Sequence, residues 1–463
     1  MLSLSKAFHL DNSAFPNRLV ISRSSKSPAC LIALTFICII STYESVNGDV
    51  PSDTGNATLS LVQILFRHGD RAPLGIYPRD KYKENSWPVA WGMLTDIGAD
   101  QSFLLGRFLR DHYKELNVGS LTDSQVYVRS TSVLRARMTA ECVMAGILLA
   151  NVSKCDLKKV LQPIKVHYKD EKHDQLLSMA PCPLQARLKQ EWRSKSTAWG
   201  RFLKSCEKLF MYLSKFTGWK VDVTNILRIA DTVYCEIHHN LTQPQWMLPE
   251  VSPLMNVFNE SSSFAYPTSE VQKLGAGPLV EKMLSNIMQK MKKPRSQMKL
   301  FVYSAHDSNV IAFLSALRVF NTIQPPYTAC VILELYQMKQ MYFVKVLYRN
   351  DTTRLPYTLK IPGCATLCPV ATLNRLLSNV TLEAESRGSV CGSSNAVFGS
   401  TKPENNVIPL VAAGILSLIP VVAVALFVFN RYCRRPNKHV TSYRQLLNSE
   451  TYPLDSDEDE LLS

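Results

Sequence analysis

Leu59-Ser60-Leu61-Val62-Gln63-Ile64-Leu65-Phe66 is followed at once by Arg67-His68-Gly69-Asp70-Arg71-Ala72-Pro73. The first eight residues form a short apolar run with little charge, which reads as a buried strand; the polar stretch after it turns the chain. The same arrangement recurs twice. Ser124-Gln-Val-Tyr-Val128 reads as a strand that leads into Arg129-Ser130-Thr131, and Met298-Lys-Leu-Phe-Val-Tyr303 leads into Ser304-Ala305-His306-Asp307. Residues 93–116 carry Leu94, Ile97, Leu104, Phe108 and Leu109 at helical spacing, and 308–319 repeat that pattern. Val331–Tyr336 and Met341–Tyr348 read as an antiparallel pair joined by a polar turn at Gln337–Gln340.

Strands alternating with helices imply an α/β fold, with a central, mostly parallel sheet and helices on both faces. Strand signals are scarce at about 165–290, where polar helical patterns dominate. That stretch reads as a helical cap inserted into the α/β core. Hydrophobic residues make up 46% and charged residues 19% of the 463 positions, which excludes a disordered or fibrous chain. The formal net charge is +14, but its basic residues are scattered, with no run of five. This is a basic surface suited to anionic substrates and does not point to a nucleic-acid partner.

Three polar clusters therefore stand at the carboxyl ends of three strands, where open α/β sheets bind ligands. Arg67, Arg71 and Arg129 are permanently charged planar forks that suit bidentate contact with phosphate. Burying them together is costly unless an anion offsets the charge. His68, His306 and Asp307 supply a nucleophile and a proton donor beside them. Asp307 also suits a helix cap. Asp70 is given no catalytic role; Arg135 and Arg137 read as helix-surface charges; His173, His238 and His239 read as solvated or structural.

Arg67-His68-Gly69-Asp70-Arg71-Ala72-Pro73 resembles the RHGxRxP signature of the histidine acid phosphatases, and His306-Asp307 resembles their HD motif. Trp91-Gly-Met-Leu-Thr-Asp-Ile-Gly98 and Val128-Arg-Ser-Thr131 are similar to the family's GxLTxxG and RST segments. Five fixed residues of RHGxRxP arise by chance in roughly one chain in ten thousand of this length. The resemblance covers about residues 59–391 and is nearest to the lysosomal and prostatic members. It implies that His68 attacks phosphorus to form a phosphohistidine and that Asp307 protonates the leaving oxygen. Arg67, Arg71, Arg129 and His306 would hold the phosphoryl oxygens. It implies no metal and no cofactor, and a homodimer. An acid optimum follows if the arginines lower the pKa of His68 and the pocket raises that of Asp307. By similarity the disulfides would be Cys182–Cys391, Cys235–Cys330 and Cys364–Cys368, which leaves Cys142, Cys155 and Cys206 unassigned. The family segment after RST often reads Asp-Val-Asp-Arg. Here it is Ser132-Val133-Leu134-Arg135, which removes two carboxylates near the pocket rim and bears on substrate preference.

The ends set the expected compartment. Ala29–Ile40 is an apolar run of about a dozen residues behind Lys6, Arg18, Arg23 and Lys26, and reads as the core of a signal peptide spanning 1–48. Val407–Phe429 holds 23 residues without charge, interrupted by Pro409 and Pro420, and fits one transmembrane helix. Arg431, Arg434, Arg435 and Lys438 follow it, which puts residues 430–463 in the cytosol. Residues 49–391 are then the lumenal phosphatase domain and 392–406 a stalk. Sequons at Asn56, Asn151, Asn240, Asn259, Asn350 and Asn379 all lie between the two apolar runs. Nine cysteines share that segment, and none has zinc-site spacing. In the tail, Tyr443-Arg-Gln-Leu446 is similar to a YxxΦ signal and Glu460-Leu461-Leu462 to an acidic dileucine signal. These point to clathrin adaptors and a lysosomal or endosomal membrane. The leading expectation is a membrane-anchored acid phosphatase acting on phosphomonoesters. A phytase or inositol polyphosphate phosphatase of the same fold is the second. A catalytically silent glycoprotein receptor is the third, which the presence of His68 and Asp307 disfavours.

Overall fold

The computed structural model describes residues 57–156 and 165–392. The signal, Asn56, stalk, membrane-span and tail expectations lie outside them. Among the described residues, no helix is long and apolar enough to cross a membrane.

The sheet contains β1 (Thr58–Arg67), β2 (Val126–Ser130), β3 (Val166–His167), β4 (Leu300–Ala305), β5 (Cys330–Met338), β6 (Met341–Arg349), β7 (Tyr357–Leu359) and β8 (Cys368–Pro369). Its order is β3-β2-β4-β1-β5-β6-β7, with β8 paired to β6. The helices are α1 (Asp96–His112), α2 (Leu134–Leu148), α3 (Pro183–Lys195), α4 (Thr197–Thr217), α5 (Val223–His238), α6 (Val251–Ser262), α7 (Ser269–Lys292), α8 (Asp307–Ala316), α9 (Val370–Leu377) and α10 (Ala384–Gly392).

The period-two alternation of β1 divides the core. Leu61 and Leu65 face α7 and α8, together with Met283, Phe313 and Val331. Val62, Ile64 and Phe66 face α1 and α2, together with Leu105, Val143 and Val302. Gln63 is buried in the first face and is satisfied: it donates to Met283 O at 2.8 Å and accepts from Asn286 Nδ2 at 2.8 Å.

The sheet corrects the expectation of a mostly parallel arrangement. β3, β2, β4 and β1 are parallel neighbours, but β5 to β8 pair antiparallel. The reason lies in the segment after α8. It returns to the end of the sheet where β1 stops, so that Thr328 N donates to His68 O at 3.2 Å and β5 starts opposite Phe66. β5 must then run against β1, and a tight turn at Lys339–Gln340, with Lys339 at φ 54°, sends β6 back beside it.

The buried face of α1 differs from the apolar stripe seen in its sequence. Ile97 and Leu104 are exposed, and Ala99, Ser102, Phe103, Gly106 and Leu109 are buried. Close contact with α2 selects this face. A Cβ on Gly106 would stand 2.1 Å from Val143 O, so the two backbones meet without an intervening side chain.

Within the stretch 165–290, α4, α5 and α6 share their own cluster of Leu213, Ile226, Val233 and Leu254. Helix α7 instead covers the sheet. The exposed sequon asparagines are Asn151, Asn240 and Asn379, while Asn259 and Asn350 are half-buried.

Disulfides join Cys142–Cys155, Cys182–Cys391 and Cys364–Cys368. The expected Cys235–Cys330 bridge is not formed, and both thiols are free and buried, as is Cys206. Cys330 opens β5 on the face packed against α1 and α2, in the cluster of Phe66 and Ile332. Cys235 lies on α5 beside Ala72 and Trp87, with its sulfur toward Arg71 and the Tyr327 hydroxyl. Alkylation of the unreduced, denatured chain followed by peptide mapping is expected to label Cys206, Cys235 and Cys330, and to find Cys142 and Cys155 in one linked peptide. A linked Cys235–Cys330 peptide would contradict the arrangement.

Candidate active site

Parallel registry brings the three polar clusters together. Arg67 at the end of β1 lies opposite Ala305 at the end of β4, and His68 N donates to Ala305 O at 3.0 Å. Ser130 at the end of β2 lies opposite Ser304. His68 thus stands beside His306, with ring centroids 5.5 Å apart, and Thr131 Oγ1 bonds His306 Nε2 at 3.0 Å. His306 is the N-cap of α8, where Asn309 Oδ1 accepts from His306 N at 3.1 Å, and Asp307 is the first residue of that helix. The N-terminus of α8, with the positive end of its dipole, therefore lies at the same place.

The turn after β1 is fixed by close packing on α1. A Cβ at Gly69 would stand 2.2 Å from Gly98 O, and one at Gly98 would stand 2.1 Å from Asp70 O. The glycines at these two places let the loop and the first turn of α1 touch. Thr95, the N-cap of α1, accepts from Gly98 N at 3.1 Å and donates to Asp70 Oδ1 at 2.6 Å. Asp70 is a buried structural anchor, which also receives His239 Nε2 at 2.7 Å.

His68 is fully buried. Its Nδ1 lies 2.8 Å from Gly69 O, an acceptor only, so Nδ1 carries the proton. Nε2 is left with its lone pair and has no hydrogen-bond partner among the described residues. Burial, then Arg135, Arg67, Arg71 and His306 in that order, hold the His68 pKa well below the ordinary imidazole range. The expectation named the arginines; burial acts first.

Each expected arginine is buried and paired. Arg67 Nη2 lies 3.0 Å from Asp307 Oδ2, and its Nη1 donates to Pro325 O at 2.7 Å. Its guanidinium stacks 4.4 Å above the Tyr327 ring. Arg71 makes a two-pronged contact with Asp231 of α5 at 2.9 and 3.1 Å. Arg129 meets Asp174 Oδ1 at 2.6 Å and donates to Ser130 O. Asp307 accepts from Gln324 Nε2 at 2.8 Å and from Ser308 N at 2.7 Å.

Arg135 corrects the reading of it as a surface charge. It is 5% exposed, it reaches Gly92 O at 3.4 Å, and among the charges it acts most strongly on His68. Its position one turn beyond β2 gave no sign of this, because the helix start tucks under the loop. Arg137 is half-buried and stacks 4.0 Å above Tyr168. His239 is packed in an edge contact on Trp87 and holds Asp70, while His173 is exposed. Asp174, Asp231, Tyr327 and Gln324 escaped sequence reasoning, because no local motif marks a partner that only the fold supplies.

The arrangement offers a neutral imidazole nitrogen inside a ring of guanidinium groups, with a carboxyl group on the adjacent strand end. That is a site for an anion with an electrophilic centre. Among the described residues, no cluster of ligand-type side chains has the makings of a metal site.

Comparison with known proteins agrees with this geometry. The model of the histidine phosphatase superfamily (branch 2) matches residues 58–349. Prostatic acid phosphatase of Rattus norvegicus is 36% identical over 338 residues, 71% of this chain and 88% of that protein. Lysosomal acid phosphatase of Homo sapiens is 33% identical over 367 residues, 77% of this chain and 84% of that protein. The apo form of Hafnia alvei phytase superposes with a TM-score of 0.57 at 18% identity, over 72% of this chain and 99% of that one, a likeness of fold. Matched from β1 to β6 by the superfamily model, and a third identical to acid phosphatases along most of their length, this chain belongs to the histidine acid phosphatase family, branch 2 of the histidine phosphatase superfamily.

Proposed function

We propose that the protein is an acid phosphatase that hydrolyses phosphate monoesters through a phosphohistidine on His68. One observation carries this reading: Nε2 of a neutral, buried His68 is bare and faces guanidinium groups, while Nδ1 is locked on Gly69 O. The lone pair attacks phosphorus, and the bond from phosphorus to the ester oxygen breaks. Asp307, carrying a proton, passes it to that oxygen, so the alcohol leaves neutral. Water then attacks the phosphohistidine, Asp307 takes its proton, and the P–N bond breaks to release phosphate. His306 and the N-terminus of α8 face the phosphoryl oxygens from one side. Arg67 and Arg71 face them from the other.

The third fork is better supplied by Arg135 than by Arg129. Of the charges near His68, buried Arg135 does most to depress its pKa, whereas Arg129 is bound to the fully buried Asp174. The Ser132 and Leu134 rim beside it leaves the pocket mouth without the two family carboxylates, which supports a preference for anionic esters. The sequence also supports a type I membrane anchor at Val407–Phe429 and an endolysosomal address read from the tail. The lysosomal acid phosphatases among its relatives agree with that address.

The test is turnover of p-nitrophenyl phosphate by the full chain in detergent. His68→Ala is expected to abolish it, and Asp307→Asn to lower kcat by about 10²–10⁴-fold. Turnover that survives His68→Ala would overturn the phosphohistidine route. Because the folded pKa of His68 is depressed, the attacking form persists in acid. The acid limb of kcat/KM is expected to fall below the range of an ordinary imidazole, whose pKa is about 6.5. Arg135→Ala is expected to cost about 10²-fold in kcat/KM in protein that is still folded at the assay temperature. Arg129→Ala strands a buried carboxylate and is expected to cost about 3 kcal/mol of stability, seen as a fall in Tm. The reverse pattern would restore Arg129 as the third phosphate fork.

A further inference from the structure

Helix α5 grips the loop between β1 and α1 at several points along one face. Asp231 holds Arg71, Thr232 Oγ1 donates to Gly75 O at 3.0 Å, and His239, just past the end of the helix, holds Asp70. Between them Glu236 meets Asp80, a residue of the same loop. Both carboxyl groups are out of solvent, Asp80 at 3% and Glu236 at 1% exposure.

Their hydrogen bonds leave one oxygen on each. Asp80 Oδ1 accepts from Tyr82 N at 3.0 Å, and Glu236 Oε2 accepts from Gln243 Nε2 at 2.7 Å. Asp80 Oδ2 and Glu236 Oε1 are buried without a well-formed hydrogen bond from a donor among the described residues, and the Lys81 backbone N–H, which lies near Asp80, favours its charged form. The two carboxyl groups lie close enough for one hydrogen bond between them. Two carboxylate oxygens are both acceptors, so that bond exists only when one carries a proton. Two bare carboxylates there would repel each other in a site that water does not reach.

We propose that Asp80 and Glu236 are positioning residues: sharing one proton, they clamp the phosphate-binding loop to α5 from acid to neutrality, and they release it as that proton leaves in mild alkali. The groups facing the pair are Lys81 and Lys83 and the hydroxyls of Tyr77 and Tyr82, all from the loop, with neutral Gln243 from beyond α5. The lysines favour the charged forms, but burial outweighs them. Burial first, then Asp80, pushes Glu236 up to about 8, and Asp80 is raised by its own burial. Loosening α5 withdraws Asp231 from Arg71, so phosphate binding weakens as the clamp opens. The link to phosphate binding rests on the proposed phosphatase reading; the clamp itself does not.

Glu236→Gln and Asp80→Asn each put a permanent N–H where the shared proton sits. KM for p-nitrophenyl phosphate and Tm are measured on the full chain in detergent from acid to mild alkali. The ratio of variant to wild-type KM cancels the ionisation of the substrate. It is expected to be near unity at about pH 5 and to fall to about one third at about pH 8. The loss of Tm over the same interval is expected to shrink by about 4 °C. A ratio that does not change with pH, with Tm curves parallel to wild type, overturns the clamp. If neither variant folds, the carbonyl stretch of a protonated carboxyl group in the wild-type infrared spectrum decides. Its presence near neutrality and its loss in mild alkali support the clamp, and its absence in both overturns it. A wild type with no turnover at any pH removes the phosphatase reading, while the Tm and infrared arms still judge the pair.

Discussion

Guanidinium groups buried beside one another repel, and each demands a counter-charge that the fold must carry to it. Around His68 that demand shapes the molecule. Arg67 receives Asp307 from the β4–α8 junction, and Arg71 receives Asp231 from α5. Arg129, at the end of β2, receives Asp174 from the segment before α3. The pairs tie the sheet ends to the helical insertion, so the same contacts that neutralise the arginines also fix where they stand. Asp231 fixes the direction of the Arg71 guanidinium, and Asp307, the carboxyl group proposed to hand over the proton, does the same for Arg67. Arg67 also stacks on the Tyr327 ring, a contact that uses none of its N–H donors.

Backbone geometry does the rest of the positioning. Parallel registry among β2, β4 and β1 places their carboxyl ends side by side, and three turns therefore meet at one edge without any long side chain having to reach. The segment after α8 closes the ring by returning to that edge with Pro325 and Gln324, which bind Arg67 and Asp307. Its return is also what makes β5 antiparallel. Sheet direction and site closure are thus one fact about residues 317–329.

What the sequence disclosed was what adjacent residues can encode. Strand β1 and its Arg67-His68 end are contiguous, as are β4 and His306-Asp307, so both could be placed from pattern alone. Partners from elsewhere could not. Asp174 and Asp231 sit in unremarkable surroundings and become meaningful only when the fold brings them to Arg129 and Arg71. Arg135 misled for a related reason: a charge in the first turn of a helix is usually solvated, and only the loop lying over α2 buries this one. The face of α1 misled because small residues pack more closely than large ones, so Gly106 marks the interface and Leu104 does not. Family likeness suggested Cys235–Cys330, whereas the direction in which each side chain leaves its backbone decided the matter.

A neutral buried histidine carries a stability cost in acid. Its folded pKa lies below that of the unfolded chain, so its contribution is present above about 6.5 and is lost as pH falls toward the folded value. Over that window each pH unit removes about 1.4 kcal/mol. Glu236 has the opposite sign. Its folded pKa, pushed up to about 8, exceeds the ordinary carboxyl value of 4.5, so its contribution is complete below 4.5 and is lost as pH rises through 8. Where the two windows overlap, below 6.5, the proton that Glu236 retains on folding opposes the one that His68 refuses, and the slopes have opposite signs. Above that overlap only the Glu236 slope remains, and Asp80, raised in the same sense, adds to it. His68 and Glu236 thus pull stability in opposite directions in acid, and above 6.5 only the fall with rising pH remains.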